Sequence, residues 1–137
     1  MAFRPLFGYD GKIRLRGAAT AVTITKGDAL VDNGAGLLTT ASAGGNVDIR
    51  FVAMETVTTT ADNQQVLVVD TAGVTFSADV DAAAAQTDVG TEADLAAAGQ
   101  VDPNASTDDI FYIEAIDGVV GTSTVVIGHF TRGVMNS

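Results

Sequence analysis

Ala29-Leu30-Val31-Asp32-Asn33-Gly34, answered by Gly36-Leu37-Leu38-Thr39-Thr40, is the stretch that decides the fold. Asn-Gly accepts positive φ at little cost and is a strong hairpin signal. Two short apolar runs on either side of it predict an antiparallel pair. Upstream, Lys26-Gly27-Asp28 reads as a second turn, and Val22 and Ile24 alternate at period two within residues 20–26. Downstream, residues 41–46 form a loop of small side chains. In residues 47–54, Val47, Ile49, Phe51 and Ala53 share one face, and Arg50 falls on the other beside Val52 and Met54.

The same reading extends to the end of the chain. After a Thr-rich connection over 56–63, residues 65–70 and 73–80 read as paired strands, with Val74, Phe76, Ala78 and Val80 facing one way. Residues 110–116 and 124–130 read as two more strands, separated by the Asp117-Gly118 turn. The section 81–109 is the least strand-like. Within it, residues 91–99 predict one short helix, with Thr91 as N-cap, Glu92 and Asp94 in the first turn and Gly99 as terminator.

Composition agrees with a β-rich chain. Of 137 residues, Val, Ile and Thr contribute 41, and such β-branched side chains fit a pleated surface. Hydrophobic residues make up 47%, which argues against wholesale disorder, although 22 of them are Ala. The length suits one domain, and a small barrel or sandwich hides sheet edges best at this size. The fold class expected is all-β: a small β-barrel or β-sandwich with one short helix and an extended N-terminal arm. The domain organisation expected is an arm over 1–17 and a single β-rich domain over 18–137.

Charge sets that arm apart. Residues 1–16 hold Arg4, Lys12, Arg14 and Arg16 against Asp10 alone, a balance of +3, while the remainder holds three cations against sixteen acids, a balance of −13. Lys12-Ile13-Arg14-Leu15-Arg16 alternates basic with apolar, so it could form a strand with one charged face. The arm also carries Phe3, Phe7 and Tyr9, and Phe, Tyr and Arg are residue types associated with interfaces. A protein partner therefore fits better than nucleic acid, which the acidic body would repel over about 8 Å at physiological salt. Phe3, Arg4, Phe7, Tyr9, Lys12, Arg14 and Arg16 are the candidate partner-binding residues.

Several chemistries lack their residues. There is no cysteine, so disulfides, thiolate metal sites and a thiol nucleophile are excluded, and the single His129 excludes any site needing two imidazoles. No P-loop and no Gly-x-Ser-x-Gly elbow occurs. Asp79 with Asp81, and Asp108 with Asp109, could place paired carboxylates together, but the five-ligand spacing of a calcium loop is missing. The expectation is no enzyme, no cofactor and no metal. No apolar run approaches 18 residues and the N-terminus lacks a leader's apolar stretch, so a membrane partner and export by that route are not expected. A lipoyl-type reading of Lys26 fails because Gly27 follows it.

Residues 20–40, with Thr-Ile-Thr-Lys-Gly-Asp-Ala-Leu-Val-Asp and then Gly-Leu-Leu-Thr-Thr-Ala, resemble tailed-phage capsid decoration (cement) proteins. Val52-Ala53-Met54-Glu55, the Val-rich stretch 66–69 and the Gly-Val-Thr-Phe stretch 73–76 continue the resemblance to about residue 80. It implies a barrel-like body on the outer surface of a phage head, present as a homotrimer and clamping major capsid protein subunits. No catalytic residues carry over. Under this reading the arm is the capsid-binding element, and deleting residues 1–16 is expected to abolish shell binding while leaving the body folded. Another virion component, such as a tail or head-fibre subunit, or a stand-alone ligand-binding module, would give a similar sequence.

Overall fold

A computed structural model describes residues 2–43 and 48–131. The chain is nearly all β, as expected, and its strands close into two barrels in succession. The first is built from β2 (Ile13–Ala18), β4 (Ala29–Asp32), β5 (Leu38–Thr40), β6 (Phe51–Ala53) and β8 (Gln64–Asp70), in the order β2-β5-β4-β6-β8. The predicted hairpin is present: β4 and β5 are antiparallel, with Leu30 opposite Thr40. Gly34 and Gly36 both have positive φ in the loop between them. A separate two-stranded ribbon, β3 (Thr23–Ile24) with β7 (Val57–Thr58), packs Ile24 and Val57 against the core of this barrel.

The second ring runs β9 (Thr75–Val80), β11 (Gln100–Asp102), β10 (Glu92–Ala97), β12 (Phe111–Ile116) and β13 (Val125–Phe130), and returns to β9. β13 lies along one edge of β9. Along the other edge lie first β1 (Phe3–Phe7), opposite residues 75–78, and then β11, opposite Asp79 and Val80. The first strand of the chain thus belongs to the second barrel's sheet.

Packing follows from the alternation. Val66 and Val68 point into the first barrel with Ala18, Ile24, Leu30, Leu38 and Ala53. Val74, Phe76, Ala78 and Val80 are all buried, as their shared face predicts, and they join a larger cluster with Phe3, Phe111, Ile113 and Phe130. Ala29, Val52 and Val69 of the first barrel, with Ile49 just before β6, belong to the same cluster, so the two barrels share one core. Each fully buried Phe, Ile or Val contributes about 1.5–3 kcal/mol of transfer free energy.

Three expectations need correction. Residues 65–70 and 73–80 do lie in or contain strands, β8 and β9, but these do not pair with each other: β8 lies between β2 and β6 in the first barrel, and β9 pairs with β1, β11 and β13 in the second. Residues 91–99 do not form a helix. Glu92–Ala97 is β10, a two-residue turn at Ala98-Gly99 follows, and β11 pairs back with Leu95 opposite Val101. The helix propensity of its Ala residues is overridden by ladders on both edges and by burial of Ala93, Asp94 and Leu95. The helical element among the described residues is a single 3-10 turn, Gln86–Asp88.

Nor is 1–17 a protruding arm over its described residues. Phe3–Phe7 is paired with β9, and Ile13–Ala18 is a barrel strand, so the boundary expected at residue 17 falls inside β2. Phe3 is 1% exposed. Its ring lies 4.8 Å from Phe130, 5.6 Å from Phe111 and 6.4 Å from Phe76. An aromatic side chain with such a site available gains more by filling it than by remaining solvated. Deleting residues 1–16 would therefore remove core and barrel together.

Candidate functional site

The structure divides the seven candidate residues into two groups. Phe3 is core. Arg4 hydrogen-bonds the Ser77 hydroxyl and the Asp79 carboxylate, each at 3.0 Å. Asp79 also accepts the Ala2 N–H at 2.9 Å. Burial pushes the Asp79 carboxyl up, but the Arg4 guanidinium and the Ala2 N–H outweigh it and hold the group below the ordinary carboxylate value. The Arg4 charge is thus engaged within the fold. Tyr9 packs half-buried against the large core cluster. Phe7 is exposed at the end of β1, away from the described ring contacts.

Lys12, Arg14 and Arg16 come together on β2. This strand pairs antiparallel with β8, Arg14 opposite Val68 and Arg16 opposite Val66. Val66 and Val68 point into the first barrel, so Arg14 and Arg16, on the same face, reach over its rim. Arg14 meets the Asp70 carboxylate at 2.7 Å. Arg16 stacks its guanidinium 5.5 Å from the Phe51 ring centre. Both contacts are partly exposed and contribute about 0–1 kcal/mol each to stability. Lys12 reaches the Ala72 carbonyl.

The other face of β2 is apolar. Ile13 lies opposite Val69 and Leu15 opposite Leu67. Ile13 is 44% exposed, Leu15 53% and Leu67 36%. The alternation read in the sequence therefore places two chemistries back to back on one exposed strand.

Among the described residues, β2 is also open along its second edge, where β5 meets it at Ala18 alone, paired in parallel with Leu38. Before that point β2 and β5 diverge, leaving a cleft of about 570 Å³. Its walls carry Lys12, Arg14, Arg16 and Arg50, with Asp32 and Asp70 as the acids. Four of the protein's seven basic residues line one cleft of a molecule with net charge −10. Phe51 forms part of the wall.

Arg50, Phe51, Leu67 and Asp70 were not among the candidates. Arg50 carries a signal, since it stands alone as a cation among the apolar residues that lead into β6. Leu67 carried a weaker one, as the large outward member of Val66-Leu67-Val68. That both would meet the basic segment required the pairing of β2 with β8.

Among the described residues, no three His, Cys, Asp or Glu side chains gather as a metal-binding group. The buried Asp94 carboxylate accepts the backbone N–H groups of Thr107, Asp108 and Asp109 at 2.7–3.0 Å. It ties the loop after β11 onto β10. His129 on β13 is half-buried, bonds Glu114 through Nδ1 at 3.0 Å and lies with its ring centre 5.2 Å from that of Tyr112. Comparison with protein-family models, with curated proteins and with solved structures yields no match.

Proposed function

We propose that this chain is a structural protein of a tailed-phage head. It is a decoration protein that binds the outer surface of the shell and holds neighbouring major capsid subunits together. The observation that carries this reading is β2: an ordered, exposed strand with Ile13 and Leu15 on one face and Arg14 and Arg16 on the other. Exposed apolar side chains beside cations suit a protein surface better than a polyanion, which needs the cations alone. The resemblance of residues 20–40 supplies the class of partner. The reading assigns no reaction, cofactor, membrane or nucleic acid. A homotrimer would present three such strands to the shell, and the avidity of that arrangement strengthens attachment without new contacts.

The test is co-sedimentation with expanded heads that lack this protein. Truncation is the wrong perturbation, because Phe3 and β2 are parts of the folded body. The variant Arg14→Glu/Arg16→Glu, alongside Ile13→Ser/Leu15→Ser, removes one face at a time. Saturable binding of the wild type, weakened in both variants, supports the proposal. Absence of wild-type binding refutes it and moves the weight to a tail or fibre subunit, where ring symmetry would tell.

A further inference from the structure

The unpaired edge of β2 has a defined chemistry. In antiparallel ladders, residues alternate between positions bonded to the neighbouring strand and positions turned away from it. Leu67, opposite Leu15, directs its carbonyl to the Met54 N–H at 2.9 Å and its N–H to the Glu55 carboxylate at 2.6 Å. Leu15 therefore sits at a position not bonded to β8, and its N–H and carbonyl turn to the open edge, where the carbonyl accepts the Arg16 guanidinium at 3.1 Å, an exposed contact that an incoming strand N–H would replace. The Lys12 carbonyl takes the Asp70 N–H at 3.0 Å, which sets the same alternation and turns Ile13 outward too. Opposite this edge, because β2 and β5 run parallel from Ala18 and Leu38, stands the 33–37 loop and not a strand.

We propose that the cleft receives an extended segment of a partner protein that adds to the open edge of β2 and alternates acidic with apolar side chains. The alternation is dictated by β2. On an added strand, side chains on the barrel-rim face become cross-strand neighbours of Arg14 and Arg16, where carboxylates are stabilised. Side chains on the opposite face fall beside Ile13 and Leu15, where apolar groups bury exposed surface. At about 3.3 Å per residue, the edge from Lys12 to Arg16 holds roughly five residues of such a strand. Lys12 and Arg50 add positive charge to the cleft.

The alternative role for the cations is protection, since natural edge strands use charge, Pro or bulges to block pairing. A strand guarded in that way does not also expose Ile13 and Leu15 on its outer face. Nucleic acid could meet the cations, but it has no use for an outward N–H and carbonyl in strand register.

This inference deepens the attachment surface proposed above and rests on that reading for the partner's identity, but its test needs no heads. The probe is an end-capped, fluorescent peptide of alternating Val and Glu, about eight residues long, so that it overhangs the edge at both ends. Anisotropy is measured with the full chain. Controls are alternating Val and Lys, the Glu peptide with its acids made contiguous, and a single-stranded oligonucleotide as competitor. The alternating acidic peptide is expected to bind at least about tenfold tighter than either control peptide, and more weakly as salt rises. Leu15→Pro removes one outward donor without touching the β8 ladder, and Pro is tolerated on an edge facing solvent. It is expected to weaken binding about tenfold or more. Arg14→Glu/Arg16→Glu should do the same, and it decides the matter if Leu15→Pro does not fold. Absent or equal binding of the three peptides overturns the proposal, as does displacement by the oligonucleotide. Self-association abolished by Leu15→Pro also overturns it, by assigning the edge to a second copy. Failure here alongside normal head binding would refute strand addition alone. Peptide binding without head binding would refute the capsid reading alone.

Discussion

Replacing Phe3 with Ala tests whether the start of the chain is core or appendage. Phe-to-Ala at a fully buried site costs about 3–5 kcal/mol, combining lost transfer free energy with the cavity left behind. Phe3 is 1% exposed and has three aromatic rings within 6.4 Å. Aromatic pairs add about 0.5–1.5 kcal/mol beyond their buried area, which places this site toward the upper end, at about 4–5 kcal/mol. A domain of this kind has a total stability of about 5–15 kcal/mol, so about a quarter or more would be lost. At roughly 3–5 °C per kcal/mol for this length, the Tm should fall by about 12–25 °C. Urea titration followed by far-UV circular dichroism measures the free energy, and an unchanged slope would show that the same surface unfolds. Phe7→Ser is the internal control. Phe7 is 68% exposed, and its loss should change stability by less than about 0.5 kcal/mol. If Phe3→Ala costs under about 1 kcal/mol, no more than its neighbour, the ring cluster is not formed and the pairing of β1 with β9 is wrong.

Gly128→Ala should destabilise by about 1–3 kcal/mol in the same titration, because an added Cβ would stand 1.9 Å from the Tyr112 carbonyl oxygen and 2.7 Å from the Phe111 ring. The buried Asp94 carboxyl gives a pH-dependent prediction. Burial pushes it up, but the three backbone N–H groups of the 107–109 loop overcome this and hold it below its ordinary value. A carboxyl depressed in the folded state stabilises above the unfolded pKa of about 3.9 and loses that contribution as pH falls through the folded value. Asp94→Asn should therefore cost about 1.5–3 kcal/mol at pH 7, and its deficit against the wild type should shrink in urea titrations repeated below about pH 4. A deficit that stays constant with pH would show that the ionised carboxylate is not what the loop binds.

The fold class was legible because its signals are local. Asn33-Gly34 between two apolar runs, and Val74, Phe76, Ala78 and Val80 at period two, each state a strand without reference to the rest. The failures were places where distant partners decide. Residues 91–99 satisfy every local rule for a short helix, and only the ladders to β11 and β12 make them a strand. Gly99 suits a helix terminator and the tight turn it occupies equally well. The candidate surface was half legible: Lys12-Ile13-Arg14-Leu15-Arg16 announced its two faces. Phe3 and Arg4 were grouped with it by proximity in sequence, but their partners, Phe130 and Asp79, lie far along the chain.

That regrouping changes the energetics of the proposed attachment. Had residues 1–17 been a flexible arm, docking would incur roughly 1–2 kcal/mol of backbone entropy for each residue ordered. For the five residues from Lys12 to Arg16 this is about 5–10 kcal/mol, comparable with the whole free energy of a micromolar complex. β2 has already lost that freedom, because its ladder to β8 runs without interruption from Ile13 to Ala18. The ladder is in turn tied to the rest of the molecule. The Phe3 N–H bonds the Gly27 carbonyl at 2.9 Å, and the Gly27 N–H bonds the Ala53 carbonyl at 2.8 Å, joining β1 to the turn before β4 and to β6. Gly27 has φ of +93°, and a Cβ there would lie 2.4 Å from that of Ala2, so only glycine allows this approach. β1 then continues along β9, carrying the connection into the second barrel. A strand presented in this way can dock as a preformed edge, and load applied to it passes through backbone ladders into both barrels instead of stretching a tether.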